Sequence, residues 1–394
     1  MEKIKTLLED EIKKTNGILK LRPAWVARNF IAPGRRLGLS ESQYNLDDRG
    51  GICERWLAST TKADNKVSVP NEGLSSLKVE YEREITLKET VDLLSEIILG
   101  REYSKTHKGL RRLAKIFDYE DRIPFHIHQM QKHAKLVGRN SKDEAYYFPE
   151  GVDKGKHPET FFGVHPYIVK KKKFDLLLPH LIEWKDDGIL QHAFAYNQNE
   201  GDGFHVPSGV THGPGTALTI ELQEDSDVFA MMQAKVGETF ISKELLWKDV
   251  RDEDRQKYGE KIILEMIDWE TCGDPEFYEK RHTPSILIKD TIQGSSKEYW
   301  IFYNTKKFSG KKIYVKKGEK FFTKDDGVYN ILVWRGSGLF GGIEIQGGNP
   351  AKDELLVVHN RAFQGVEIIN TGNEELEIIK FFGPDVNKYV PFIS

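Results

Sequence analysis

Cysteine is nearly absent from this sequence, which carries only Cys53 and Cys272 among its 394 residues. The two lie far apart and form no C-x-x-C pair, so a disulfide framework does not organise the chain. Such sparse cysteine usage fits a reducing compartment. We therefore expect a cytoplasmic protein.

The sequence also lacks an excess of charge of either sign. Its 58 basic and 61 acidic side chains leave a formal net charge of −3, which creates no global field for nucleic acid or an anionic membrane surface. No apolar run reaches about 18 residues, and the first segment, MEKIKTLLEDEIKKTNG, is charged and amphipathic, unlike a secretory leader. We expect no nucleic-acid or membrane partner, and the composition leaves the oligomeric state open.

Helical periodicity is confined to a few stretches of the chain. Apolar spacing predicts helices over residues 2–14, 86–117, 173–185 and 242–269. Elsewhere, short apolar or alternating runs separated by Gly, Pro, Asn and Asp are typical of strands and turns. After residue 283 almost every segment has the strand pattern, which favours an antiparallel sandwich or barrel.

These patterns predict a mainly β protein with more than one domain, as a length of 394 residues also suggests. Residues 1–230 are predicted to form a β-rich domain with helical insertions. Residues 231–283 are predicted to form a helical connector, and residues 284–394 a second, helix-poor β domain. The predicted architecture is two β-barrels joined by a helical stretch.

The segment FHIHQMQKHAKLVGRNSKDEAYYF, residues 125–148, contains an H-x-H pair. On a strand, residues i and i+2 point to the same side, so His126 and His128 project together and can hold one ion. Glu144 lies in the next alternating run, which predicts a second strand folding back beside the first. An ordinary polar hairpin is the alternative for an H-x-H pair taken alone.

A further candidate ligand, His212, follows the Pro-Ser-Gly turn in FHVPSGVTHG. A turn of this kind between two strands aims a side chain back into the mouth of a barrel. Three imidazoles and one carboxylate suit Zn²⁺, Mn²⁺, Fe²⁺ or Ni²⁺ and leave coordination positions for substrate oxygens.

The order H-x-H, then Glu, then F-x-V-P-S-G-x-x-H resembles the cupin superfamily, and more narrowly the type I phosphomannose isomerases. GGICERWLAST is similar to that family's early GE-x-W-x-x-S strand, and LAKIFDYEDRIPFHIH to its KFLDA…LSVQVH segment. SKDEAYYF resembles GKTEAWY, and VPSGVTHGPGTALTIELQEDSDV resembles VPAGTxHAIGxGxLxxEIQQxSD. The matches run in family order over about residues 20–230, and the later β segments fit a second cupin domain more loosely.

The resemblance implies two cupin (double-stranded β-helix, jelly-roll) barrels. No H-x-H pair precedes the second motif, whose expected ligand position falls near Gln364, so we expect the second barrel to be metal-free. It places the metal ligands on His126, His128, Glu144 and His212. The family has Gln at the first of these positions, so His126 is a departure that restores the general cupin pattern. The implied cofactor is one divalent ion, zinc first, with manganese, iron or nickel as alternatives.

The resemblance also implies an aldose–ketose isomerase acting on a carbohydrate. Lys142 and Glu221 match the family's charged residues beside the metal and are candidates for moving protons. Isomerisation requires removal of a proton next to a carbonyl, and partial burial would raise the pKa of Glu221 toward that of a useful base. A solvated lysine and a structurally paired carboxylate are the alternatives for these two residues.

Candidate substrate contacts are distributed over both predicted barrels. Lys115 matches a lysine of the family's KFLDA segment. Glu54 and Trp56 are candidates for the mouth of the first barrel, with core packing as the alternative for Trp56. Arg361, in the second domain, is a candidate contact for an anion or a hydroxyl group of the substrate.

The chain departs from the family where a phosphate would bind. Pro124 replaces the serine associated with the phosphate end of the substrate, and proline offers neither a hydroxyl nor an N–H. After the Ser-Asp pair the sequence continues VFAMMQAKVGE in place of YRVYDYGR. A cupin iron oxygenase and a non-catalytic, metal-containing carbohydrate-binding or regulatory protein are therefore the alternative functions.

Overall fold

A computed structural model of the protein describes residues 2–393. The strands are β1 Ile18–Arg22, β2 Ala24–Arg28, β3 Gly51–Leu57, β4 Ser76–Leu77, β5 Leu113–Phe117, β6 His126–Ile127, β7 Glu144–Tyr147, β8 Glu159–Phe162, β9 Phe194–Asn197, β10 Gly203–Val206, β11 Thr211–Gly213, β12 Thr219–Gln223, β13 Ala230–Met231, β14 Lys235–Val236, β15 Thr239–Phe240, β16 Ile286–Leu287, β17 Lys297–Phe302, β18 Ser309–Val315, β19 Lys320–Thr323, β20 Tyr329–Arg335, β21 Ser337–Phe340, β22 Ile343–Gln346, β23 Glu354–Val357, β24 Val366–Asn370 and β25 Leu376–Phe382. The helices are α1 Glu2–Lys14, α2 Leu87–Leu93, α3 Ser95–Leu99, α4 Arg101–Thr106, α5 Gln131–Ala134, α6 Pro166–Lys170, α7 Leu178–Glu183, α8 Asp252–Tyr258, α9 Lys261–Glu265, α10 Trp269–Cys272, α11 Phe277–Arg281 and α12 His359–Gln364.

The first β-sandwich consists of two antiparallel sheets. One has six strands in the order β10-β7-β12-β5-β3-β2, and the other has five in the order β13-β6-β11-β8-β9. Phe117 and Tyr146 from the six-stranded sheet share one buried core with Ile127, Phe162 and Met231 from the five-stranded sheet. Strand side chains alternate between faces, so the remaining inward positions of these strands point into the space between the sheets.

A second sandwich is built mainly from the C-terminal part of the chain. Its larger sheet has the order β16-β17-β18-β25-β20-β23-β1-β4, and its smaller sheet has the order β19-β24-β21-β22. Strand β1 joins this sheet from the other end of the chain, with Ile18 opposite Val357. Ile331 and Ile378 of the larger sheet pack with Phe340 and Ile368 of the smaller one in a common core.

The two sandwiches pack back to back. The outer face of the six-stranded sheet presents Ile116 and Ile220, which share a buried cluster with Leu332, Ile379 and Phe381 of the eight-stranded sheet. Strands β3, β5, β7 and β12 therefore have one face toward the space between the sheets of the first sandwich and the other toward the second sandwich. Such double burial restrains the positions of the inward-facing side chains.

The mainly β fold class is confirmed, and so is the helix over residues 2–14, which is α1 with Ile4, Leu8 and Ile12 buried. The sheets pair as open sandwiches, and none of them closes on itself within residues 2–393. The division into residues 1–230, 231–283 and 284–394 stays a prediction. Within the described chain, no helix combines the length and the apolar composition needed to cross a membrane.

The helical pattern predicted over residues 86–117 is confirmed as far as Thr106 and is wrong in its last part. Helices α2, α3 and α4 end at Thr106, and Leu113–Phe117 form strand β5, all of whose residues are buried. A short apolar run has no periodicity that separates a buried strand from a helix. Pairing with β3 on one side and β12 on the other stabilises this segment as a strand.

The other long predicted helices are interrupted. Residues 173–185 contain only the short helix α7 after a 3₁₀ turn, and residues 242–269 contain a 3₁₀ turn followed by α8 and α9. Gly259 ends α8 at a φ of +55°, a left-handed conformation that glycine adopts without a steric penalty. Helix α10 begins after Asp268, whose side chain accepts a hydrogen bond from the backbone N–H of Thr271.

A buried arginine links the two sandwiches. Arg55 on β3 donates to both carboxylate oxygens of Asp353, at 2.7 and 2.6 Å, and to Glu354 Oε2 at 2.9 Å. Its side chain is 4% exposed, and those of Asp353 and Glu354 are 2% and 0% exposed. Truncating one partner of such a group leaves uncompensated charge in a medium of low dielectric constant.

We expect Arg55→Ala to lower the free energy of unfolding by about 3–5 kcal/mol, because two carboxylates lose their partner. Arg35→Ala is the matched control, since the Arg35–Glu41 pair is exposed and is expected to contribute less than about 1 kcal/mol. Urea unfolding followed by circular dichroism gives both values. Equal losses in the two variants would contradict a structural role for Arg55.

Candidate metal centre

Three histidines converge between the two sheets of the first sandwich. His126 lies on β6, His128 follows that strand, and His212 lies on β11 directly opposite His126 in the antiparallel ladder. The ring centroid of His126 is 4.8 Å from that of His128 and 4.1 Å from that of His212. One candidate ligand nitrogen from each ring lies within 4.8 Å of the others, and all three residues are buried.

Backbone carbonyls set the tautomer of each ring. The Nδ1 atoms of His126, His128 and His212 lie 2.7 Å from the carbonyl oxygen of Pro124, 2.7 Å from that of Val228 and 2.9 Å from that of Val210. A carbonyl oxygen can only accept a hydrogen bond, so each Nδ1 carries the proton and donates it. In the neutral ring, Nε2 is then left with its lone pair, which is how metal-binding imidazoles are oriented in proteins.

Glu144 faces this cluster from strand β7 of the opposite sheet. Its Oε2 lies 2.9 Å from His128 Nε2, and its Oε1 lies 3.0 Å from His212 Nε2. Burial and the ammonium group of Lys142 lower the pKa of His128 to about 3, so this imidazole is neutral. Burial opposes ionisation of Glu144, yet the ammonium group of Lys142 holds its pKa well below the usual range.

The donor set at the centre fits a metal ion. Ionised carboxylate oxygens and deprotonated imidazole nitrogens are all electron-pair donors, so their close approach requires a cation or a proton between them. Lys142 Nζ, 2.9 Å from both Glu144 Oε2 and His128 Nε2, serves the contact of Glu144 with His128. Among residues 2–393, His212 Nε2 has no hydrogen-bond partner, although it is buried. Nitrogen and carboxylate ligands in this combination are typical of zinc and related divalent ions.

Glu221 and two lysines lie on the inner face of the same sheet. Glu221 on β12 is directly opposite Lys115 on β5, and its Oε2 is 3.2 Å from Lys115 Nζ. Lys142 Nζ lies 2.9 Å from Glu144 Oε2 and 3.6 Å from Glu221 Oε1. Burial raises the pKa of Glu221 to about 7, with Lys115 opposing the shift and Glu144 adding to it.

Glu54 forms one wall of the site through a buried ionic network. It accepts hydrogen bonds from Arg28 Nε at 3.1 Å and from the hydroxyl of Tyr119 at 2.6 Å. Burial works against ionisation of Glu54, but Arg28 and Lys115 outweigh it and lower its pKa to about 2. Arg28 also donates to Asp227 Oδ1 at 3.1 Å, so the network carries charge that is internally compensated.

Two of the candidate substrate contacts, Trp56 and Arg361, lie away from the space beside the three histidines. Trp56 donates its indole N–H to Glu54 Oε2 at 2.7 Å and packs in a small core beside it, so it holds Glu54 in place. Arg361 lies on α12, which belongs to the second sandwich, where its side chain runs beside Gly17 and Gly341. Arg361 does not line the cavity that lies beside the histidines.

The residues above surround an inner cavity of about 40 Å³. It is lined by Arg28, Phe30, Glu54, Lys115, Tyr119, Ile123, His126, His128, Lys142, Glu144, Tyr146, Pro214, Glu221, Asp227, Phe229 and Met231. The sequence analysis missed Arg28, Tyr119, Tyr146 and Asp227. Strand alternation from Glu144 could have found Tyr146, which donates its hydroxyl to Glu144, whereas Arg28 had no local signal.

We expect His128→Ala to reduce bound metal from one ion per chain to a trace, because the substitution removes a nitrogen donor from the cluster. The matched control is His157→Ala, since His157 is half-exposed and paired with Glu159 outside the cavity. Elemental analysis after dialysis against zinc measures both variants. Full metal content in His128→Ala would rule out this centre as the binding site.

No protein-family model matches the sequence, and no curated protein matches it significantly. Solved structures do match. Mannose 6-phosphate isomerase from Bacillus subtilis superposes with a TM-score of 0.62 at 14% identity, covering 93% of this chain and 99% of the other. A zinc-bound mannose 6-phosphate isomerase and a mutant of phosphomannose isomerase from Salmonella typhimurium each give a TM-score of 0.60 at 10% identity, covering 93% of this chain and 100% of theirs. The chain therefore has the fold of the mannose-6-phosphate isomerases.

Proposed function

We propose that the protein is a metal-dependent aldose–ketose isomerase that acts on a small carbohydrate, a sugar or a sugar phosphate. One observation carries the proposal: burial raises the pKa of the Glu221 carboxyl group to about 7, and Glu221 shares a small cavity with His126 and His128 of the three-histidine cluster. Perturbed titratable groups beside a candidate metal centre are a mark of catalytic sites.

His126, His128, Glu144 and His212 are the residues that would hold the ion, with zinc as the first candidate. When bound, a divalent ion polarises a carbonyl oxygen and offsets the negative charge that develops on it. The hydrogen bonds from the Nδ1 atoms to backbone carbonyls keep the nitrogens aimed inward. Zinc is present in one of the structures that share the fold.

Glu221 supplies the proton transfer. In the forward direction its carboxylate takes the proton from the carbon next to the substrate carbonyl, which leaves an enediolate and a neutral Glu221 carboxyl group. The same carboxyl group returns that proton to the neighbouring carbon, so the carbonyl moves by one position and Glu221 ends deprotonated. A base whose pKa lies near the working pH serves both halves of such a reaction.

Lys142 and Lys115 assist from the same face of the sheet. Lys142 Nζ lies within 3.6 Å of Glu221 and can pass a proton between the two hydroxyl oxygens as the carbonyl shifts. Lys115, at 3.2 Å, holds the Glu221 carboxylate in position. Glu54 restrains Lys115 from the other side at 3.8 Å, so we assign the Lys115–Glu54 pair to the positioning of the base and the substrate.

The charge balance of the inner cavity suits this chemistry. Its lining has four carboxylates, Glu54, Glu144, Glu221 and Asp227, and three basic side chains, Arg28, Lys115 and Lys142. The ionised cavity therefore has one excess negative charge, and a divalent ion would turn it into one excess positive charge. A positive, water-poor cavity stabilises an enediolate more than it stabilises a neutral sugar.

The direct test combines metal analysis with proton exchange in D₂O. The metal-loaded protein is incubated with mannose, fructose and their 6-phosphates, and NMR follows the sugar carbons C1 and C2. Deuterium at either carbon together with interconversion of the aldose and ketose is the expected result. One bound ion without exchange on any of these sugars would contradict the proposal.

We expect Glu221→Gln to lower kcat by about 10²–10⁴-fold, since the amide cannot accept the proton, while the bound metal is retained. Glu238→Gln is the matched control, because the Glu238 side chain is 98% exposed and is expected to leave activity unchanged. Steady-state kinetics and elemental analysis are measured on the same samples. Near-native turnover of Glu221→Gln would show that another group is the base.

The pH dependence of kcat/KM should follow Glu221. Burial raises the pKa of this carboxyl group to about 7, and a base acts when deprotonated, so activity is expected to increase as the pH rises through that pKa. A bound cation favours the ionised form, so the midpoint in the metal-loaded enzyme is expected at or below about 7. A pH–rate profile with the metal content checked at each pH tests this, and activity that declines across the acid range would exclude Glu221 as the base.

A further inference from the structure

The inner cavity is too small to hold a whole sugar. Its volume of about 40 Å³ accommodates roughly one to three groups the size of a water molecule. A second cavity of about 390 Å³ adjoins it, and Arg28, Phe30 and Phe229 line both. We call this second cavity the vestibule. The vestibule shares three lining residues with the inner cavity, so it is the space that we assign to the remaining atoms of a substrate whose reacting carbons occupy the inner cavity.

We propose that the vestibule receives the body of an uncharged sugar, so that the substrate of the proposed isomerase is a free sugar and carries no phosphate. The inference rests on the proposed function for the position of the reacting carbons. It follows because the buried basic side chains around the two cavities already form ion pairs within the protein, so they have no N–H group free to bind a phosphate.

Arg28 has no N–H group left for an anion. Its Nε donates to Glu54 at 3.1 Å, one terminal nitrogen donates to Asn65 Oδ1 at 2.9 Å and to Asp227 Oδ2 at 3.2 Å, and the other donates to Glu54 Oε2 at 3.3 Å and to Asp227 Oδ1 at 3.1 Å. These contacts use every donor of the guanidinium group. The side chain is 4% exposed, so reorienting it toward a ligand would leave Glu54 and Asp227 buried and unpaired.

Lys248 is the other largely buried basic residue of the vestibule, and its N–H groups are also used by acceptors within the protein. Its Nζ lies 2.9 Å from the carbonyl oxygen of Asp227, 3.2 Å from Asp249 Oδ2 and 3.1 Å from Asp64 Oδ2. These acceptors account for the N–H groups of an ammonium ion. Asp64 also accepts a hydrogen bond from Arg139 at 2.6 Å. Its carboxylate therefore pairs with two cations, Lys248 and Arg139, which could otherwise bind an anion.

Lys66 is the remaining basic side chain of the vestibule, and within residues 2–393 no carboxylate lies within ion-pair distance of it. It is exposed to solvent, where an ionic contact with a ligand contributes little. A phosphate dianion in the vestibule would thus meet one solvated lysine and the carboxylates of Asp64 and Glu244. This environment does not compensate the loss of its hydration.

The same walls suit a neutral polyol. Phe30 and Phe229 provide an apolar surface, and Asn29, Ser242 and Glu244 add amide, hydroxyl and carboxylate groups around it. Apolar walls with a few polar groups are the usual composition of a small-molecule site. Sugar hydroxyl groups can donate hydrogen bonds to carboxylates. A phosphate dianion has no O–H group and can only accept hydrogen bonds.

The test is a binding measurement on Glu221→Gln loaded with zinc, which separates recognition from turnover. Calorimetric titrations use mannose, fructose and their 6-phosphates, each at two salt concentrations. We expect the free sugar to bind at least about tenfold more tightly than its 6-phosphate, and its affinity to be independent of salt. Tighter binding of a 6-phosphate, or no binding of either free sugar, overturns the inference.

A second set of binding measurements uses the variant Asp64→Asn. The substitution weakens the hold on Lys248 and Arg139, so the 6-phosphate is expected to gain about tenfold in affinity while the free sugar changes by less than about twofold. Asp290→Asn, an exposed aspartate that lines neither cavity, is the matched control and should change neither. An unchanged 6-phosphate affinity in Asp64→Asn contradicts the role assigned to Asp64.

The two proposals fail separately. If the native enzyme interconverts no sugar while the free sugar still binds with the expected preference, the isomerase proposal falls and the free-sugar inference stands. If the native enzyme isomerises a 6-phosphate at least about tenfold more efficiently than the free sugar, the inference falls and the isomerase proposal stands.

Discussion

Ionised side chains buried between the two sheets of the first sandwich are the constraint on which the site depends. Removing a charge from water costs several kcal/mol even after the protein relaxes, so each such group needs a partner of opposite sign. Arg28 is placed between Glu54 and Asp227, and Lys115 between Glu54 and Glu221. This network orients Glu54, Glu221 and Asp227 through ion pairs within the protein.

The pairing leaves one buried nitrogen of the cluster, His212 Nε2, without a hydrogen-bond partner among residues 2–393. Around Glu144, two deprotonated imidazole nitrogens approach within 3.0 Å, and Lys142 is the single cation in contact. A divalent ion would complete this arrangement. Glu221 differs from the other carboxylates because burial outweighs its lysine neighbours, which keeps its pKa near neutrality and makes it the group able to exchange protons.

The second sandwich contributes rigidity to the site without lining the inner cavity. Strands β5, β7 and β12 carry Lys115, Glu144 and Glu221 on one face, and their other faces pack against the eight-stranded sheet. Residues on strands that are covered on both sides have little freedom to move, which is what a preorganised catalytic site requires. The ion pairs of Arg55 with Asp353 and Glu354 hold the two sandwiches at this contact.

Local sequence pattern was sufficient for the ligand cluster but not for its surroundings. Spacing alone placed His126 and His128 on one side of a strand, and the turn before His212 returned that residue to the same place. The run Leu113–Phe117 was misread as helix, because five buried residues in succession have the same hydrophobicity in either conformation. Arg28 and Asp227, 199 residues apart in the chain, could be joined only by folding.

The sequence by itself therefore determined the mainly β class and the candidate ligands, because both depend on side chains that alternate with a period of two along single strands. Only the tertiary structure decided which charges pair, where Arg361 lies and how large the space beside the histidines is. These properties depend on the packing of one sheet on another. Such packing depends on contacts between residues far apart in the chain, which no local pattern records.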